Sequence, residues 1–121
     1  MRVMSEQSGR EPVKVLCPAE IDRLPWKEVP GCAGVRVTEL WRAGDVHDAL
    51  IAYEPGASTP GPPHPSAEHH IWVIAGSASI AGQRFVAGSY VYVPPDTVHR
   101  IADVGAEGCT LLQMHRPSGG S

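Results

Sequence analysis

The stretch Gly56-Ala-Ser-Thr-Pro-Gly-Pro-Pro-His64-Pro-Ser-Ala-Glu68-His69-His70-Ile-Trp-Val-Ile-Ala-Gly76 decides how this chain is read. Prolines at 60, 62, 63 and 65 remove backbone donors and fix φ, so this part is a stiff loop and not a ladder strand. At His69 the character changes. His-His-Ile-Trp-Val-Ile-Ala is rich in β-branched and aromatic residues and stops at Gly76, which predicts a strand. A rigid loop carrying His64 therefore runs straight into a strand that opens with His69. Downstream, Gly88-Ser-Tyr-Val-Tyr-Val-Pro94-Pro-Asp96-Thr-Val-His99-Arg-Ile-Ala-Asp103 repeats that order. A strand at Tyr90–Val93 is stopped by Pro94-Pro95, and His99 opens the next extended run, Val98–Ala102.

Working outward, 121 residues allow one domain. With 13 Gly, 12 Pro and a single Phe, the chain carries too many helix breakers for a bundle. Short strands joined by turns are the better reading. Val35 to Trp41 alternates with period two, Val46–Glu54 is a second run, and Ala43-Gly44-Asp45 between them makes a hairpin turn. Ser77–Ala81 and Gln83–Val86 flank Gly82 as a further hairpin, and Cys109–Met114 supplies a last strand. About eight short strands fit a small sandwich or closed barrel. Residues 1–14 are polar and irregular and are expected as a flexible arm, with the barrel domain over 15–121. Pro18–Leu24 is expected to form one helical turn.

Charge and cysteine usage exclude several classes. Ten basic against 13 acidic residues leave a net charge of −3, which speaks against a nucleic-acid or acidic-membrane partner. No apolar run approaches a membrane span and no signal-peptide core is visible, so a cytoplasmic location is expected. Cys17, Cys32 and Cys109 are odd in number and widely spaced, so neither a disulfide framework nor a thiolate site is expected. What stands out is six histidines, four of them between His64 and His99.

Imidazole ligates Fe, Zn, Mn, Ni and Cu, and three such ligands leave coordination positions open for chemistry. His64, His69 and His99 all sit where stiff loops meet strand openings, the place at which side chains converge on a barrel mouth. Strand parity refines the set. If His69 points inward, so do Ile71 and Val73, while Glu68, His70 and Trp72 face out. The rival register makes Glu68 the ligand in place of His69 and requires a bulge. His47 shares parity with Ala49, Ile51 and Tyr53 and is a candidate acid–base group. His115, opposite in face to Leu112 and Met114, is expected to be exposed. Trp41, Tyr53, Phe85, Tyr90 and Tyr92 are expected in the core or at an interface.

Over Gly56–Asp103 the chain resembles the cupin superfamily. The first motif of that family runs Gly, five residues, His-x-His, three or four residues, Glu, six residues, Gly. Here Gly56, Pro62-Pro63-His64, His69 and Gly76 keep those intervals. The second runs Gly, five residues, Pro-x-Gly, two residues, His, three residues, Asn, matched by Gly88, Pro94-Pro95-Asp96, His99 and Asp103. Pro62 stands in place of the first histidine and His69 in place of the glutamate. Asp96 replaces a turn glycine, which an aspartate tolerates better than most residues.

The resemblance implies an all-β fold, a single small cupin (double-stranded β-helix, jelly-roll) barrel that pairs as a homodimer. It implies a divalent transition metal (Fe, Zn, Mn, Ni or Cu) on His64, His69 and His99. The implied function is a metal-dependent enzyme acting on a small oxygen-rich organic substrate, of dioxygenase or isomerase/cyclase type. The alternative is a non-catalytic small-molecule-binding or sensor cupin.

Overall fold

The computed structural model describes residues 12–118. A short helix α1 (Pro18–Asp22) precedes eight strands: β1 (Lys27–Glu28), β2 (Val35–Ala43), β3 (Val46–Tyr53), β4 (Ala67–Ile80), β5 (Gln83–Val86), β6 (Tyr90–Val93), β7 (Ile101–Ala102) and β8 (Cys109–Pro117). Most of the arm expected at 1–14 lies outside the described residues. Within it, Lys14 donates from Nζ to the Leu40 carbonyl at 2.8 Å.

Antiparallel pairing gives a main sheet in the order β1-β2-β3-β8-β4, closed on its far side by β6 against the first part of β4. The expected strand Ser77–Ala81 is not separate. β4 continues through Gly76 and pairs by its last residues with β5 and β7, so one strand serves two sheets. Gly76 makes this possible: φ is +77°, and a Cβ there would run into the Gly108 carbonyl. The run expected at Val98–Ala102 shortens to β7, because Thr97 and His99 use their backbone and ring in the preceding turn. Asp96 and Asp103 adopt φ of +58° and +54°, so both motif aspartates occupy the left-handed region.

Alternation follows from the pleat. Val35, Tyr53, Ile71, Val73, Val93 and Leu111 are buried between the sheets and, with Ala78, Ile80, Phe85 and Ile101, form the core. Tyr90 and Tyr92, on the opposite parity to Val91 and Val93, face outward beside Trp72, and all three are about half exposed. The outward position of Trp72 is the one its parity predicts, whereas the two tyrosines are not core residues. All three cysteines are free.

Candidate metal centre

The register across three strands sets the site. His47 on β3 pairs with His115 on β8, and His115 pairs with His69 on β4. Because directly opposed residues share a face, the three imidazoles form one row on the inner surface. His64 reaches the row from the proline-rich loop, and His99 from the loop before β7. Backbone bonds fasten these two loops together: His99 donates to the Gly61 carbonyl at 2.9 Å, and Thr59 and Ile101 exchange bonds of 3.0 and 3.1 Å.

The result brings His64, His69 and His99 together, each offering a ring nitrogen within 4.8 Å of the others. Their ring centres are 5.0, 5.6 and 5.1 Å apart. Three imidazoles on one ion at about 2.0–2.1 Å have ring centres about 5 Å apart, so the spacing fits a shared metal. His69 and His99 are buried, and His64 is the most exposed of the three. His99 donates from Nδ1 to the Thr97 carbonyl at 3.0 Å, which fixes its tautomer and leaves Nε2 as the free lone pair.

Electrostatics point the same way. Burial first, then the neighbouring His99, His115, His64 and His47, push the His69 pKa down to about 4. The imidazole is therefore neutral near pH 7, as a ligand must be. Burial also lowers His47 and His115, helped by the Arg42 charge beside His47 and by His47 itself beside His115.

One expectation changes here. His115 is not turned to solvent. Its face is the inner one, and its Nδ1 lies 2.9 Å from His69 Nε2. The Leu112 and Met114 side belongs to the outer surface, where it covers the sheet and not the cavity. Glu68 also faces out. Its carboxylate accepts from His70 Nε2 at 2.9 Å and from the Tyr92 hydroxyl at 3.2 Å, away from the three imidazoles. His47 stacks on His115 with ring centres 4.5 Å apart, so it reaches the cluster through that residue. Sequence spacing alone did not single out His115. The signal for it was the shared parity of His47, His69 and His115, which becomes informative only when β3, β8 and β4 are known to be neighbours.

Comparison with known proteins finds no match among curated sequences. Solved structures are similar in fold. A polyketide cyclase, RemF from Streptomyces resistomycificus, superposes with a TM-score of 0.73 at 20% identity, over 88% of this chain and 80% of that one. An RmlC-like cupin protein from Ralstonia eutropha gives 0.74 at 19%, over 94% and 73%. A chain from the Rhodobacter sphaeroides complex of SigE with the anti-sigma ChrR gives 0.65 at 18%, over 93% and 74%. At these identities the likeness concerns the barrel. A family model covers nearly the whole chain, residues 16–119, and with the two motifs and the barrel already in place it makes this protein a member of the ChrR cupin-like domain family.

Proposed function

We propose that this protein is a metal-dependent cupin enzyme in which His64, His69 and His99 hold one divalent transition metal and present a small organic substrate to it. The observation that carries this reading is three imidazoles with converging nitrogens, two of them buried, among which burial holds the His69 pKa down at about 4. A metal held there would supply Lewis acidity toward a carbonyl or enolate oxygen, or, as iron, chemistry with O2. The chain's own residues do the rest. His99 is oriented by Thr97, His69 by His115, and the His64 carbonyl accepts from the Ala67 and Asp96 backbone, which ties its loop to the turn before His99. No carboxylate joins the set, so the ion's charge is left to attract an anionic or enolisable ligand. His47 is proposed as an acid–base group one ring removed from the site. The polyketide cyclase likeness supports an isomerase or cyclase class, and a dioxygenase is equally compatible with three histidines.

The test is elemental analysis of protein grown with Fe, Mn, Ni and Zn, beside His99→Ala, followed by O2 uptake and product analysis with diketone and phenolic substrates. About one equivalent of metal in the parent and turnover lost in the variant are expected. Less than about one-tenth of an equivalent would sink the proposal.

A second reading is favoured by the family match itself: a sensor or binding domain that holds metal and ligand without turnover. Tight ligand binding with no product would select it. We further propose a cytoplasmic homodimer that uses the outer face around Trp72, Tyr90 and Tyr92. There the polar atoms of Glu68, His70, Tyr90 and Tyr92 satisfy one another, so covering them with a second copy leaves few bonds unmade. Light scattering of the parent and of Trp72→Glu reads this directly, as dimer and monomer.

A further inference from the structure

Beside His99, a chamber of about 310 Å³ opens between β2, β3 and β8 and the proline-rich loop. Its volume is at the small end of the range for small-molecule sites, roughly 300–1,000 Å³. Val37, Ile51, Ile101 and Pro60 make its walls apolar, and among the described residues no lysine, arginine or carboxylate lines it. Tyr53 and Thr59 add hydroxyls, but these bond each other at 2.9 Å, and burial pushes the Tyr53 pKa up to about 12, so the phenol stays neutral. The ring of His99 is tied to Thr97 through Nδ1.

That leaves Gln113. On β8 it pairs with Ala49 on one side and Ile71 on the other, one inner-face row beyond His47, His115 and His69. Two residues of strand place it roughly 7 Å along the barrel from that row. Among the described residues its amide has no hydrogen-bond partner, and it faces the chamber. The amide is half-buried and still reaches water, so a ligand entering here would exchange a water for its own oxygen.

We infer that Gln113 is the specificity-determining residue of this chamber, and that its ligand is an apolar-bodied molecule carrying a carbonyl or enol oxygen, and not a dicarboxylate or sugar acid. Beyond the one ion proposed at His99, a ligand with several carboxylates would need further cationic partners, and among the described residues none lines the chamber. A ketone with an aromatic or aliphatic body would bury that body against Val37, Ile51 and Ile101 and take the Gln113 amide at its oxygen. This inference rests on the metal reading for the position of the reacting end, and on the chamber alone for the class of ligand.

The experiment is titration of the purified protein with two probes of matched oxygen spacing, benzoylacetone and malonate, with metal content read on the same samples. Benzoylacetone is expected to bind at least about tenfold more tightly, because only it buries an apolar body. Gln113→Leu should weaken benzoylacetone by about three- to tenfold, one hydrogen bond's worth, with metal content unchanged. Gln113→Glu, which sets a carboxylate against the enolate, should weaken it further. Malonate binding as tightly as benzoylacetone, or Gln113→Leu leaving the diketone affinity unchanged, would overturn the inference. Protein without metal would contradict the metal reading, while the preference between probes would still decide the ligand class.

Discussion

His69 Nε2 and His115 Nδ1 face each other at 2.9 Å across neighbouring strands, the first ring buried and the second half-buried, so that one donates to the other. The bond commits one nitrogen of a proposed ligand and holds its ring in place, the role outer partners play around metal-bound imidazoles. His115→Ala is therefore expected to lower metal affinity by roughly 10–100-fold, with His115→Gln recovering part of the loss through its amide. Competition against a chromophoric chelator measures both. Equal affinity in parent and alanine variant would remove His115 from the site.

The depressed pKa of His69 makes stability depend on pH in a definite direction. Above pH 6.5 the ring is neutral folded and unfolded, and the full stability is present. As pH falls from 6.5 toward about 4, the unfolded chain takes up a proton that the native ring refuses, so stability is lost across that window. His47 and His115 are shifted in the same direction and add to the slope. Metal-free protein should lose on the order of 2 kcal/mol between neutral pH and pH 4.5, read from urea midpoints. A flat profile would mean that the imidazole cluster is hydrated and not buried.

Glu68 and His69 are adjacent in sequence and opposite in face. Glu68→Gln should leave metal content unchanged while loosening His70 and Tyr92 on the outer surface. His69→Ala should abolish metal binding. The reverse pattern, measured by elemental analysis, would restore the alternative register.

Gly61 is the point at which the loop bearing His64 touches the turn bearing His99. Its φ is +58°, and a Cβ would lie 2.2 Å from the His99 carbonyl oxygen and 2.8 Å from the Arg100 nitrogen. Both neighbours are backbone and cannot swing aside. Gly61→Ala should cost roughly 2–4 kcal/mol and weaken metal binding together with stability. A variant that melts like the parent and keeps its metal would show that the two loops are not coupled here.

Much of this arrangement was legible in the chain because it is written in local intervals. Pro94 and Asp96 mark a turn that the structure reproduces, and the parity of His69, Ile71 and Val73 follows from the pleat, whereas Gly76, read as a strand end, lies inside β4. What the intervals could not carry was non-local. His115 enters the site because β8 lies between β3 and β4, a pairing that joins residues 46 positions apart. A register shift between Glu39 and Trp41 breaks the simple alternation of β2, so the inward set of that strand cannot be counted from Val35. Tyr90 and Tyr92 show the same limit. Their shared face was clear, but its direction depends on how β6 meets β4, where Val93 pairs with His69 and turns the tyrosines out.

Whether His64, His69 and His99 ligate one ion can be read from anomalous scattering by crystals of the protein, without recourse to activity. A single peak is expected within bonding distance of one nitrogen from each of the three imidazoles, present in the parent and absent in His99→Ala. Strong density for all three rings with no peak between them, in protein prepared with Fe, Mn, Ni and Zn available, would contradict it.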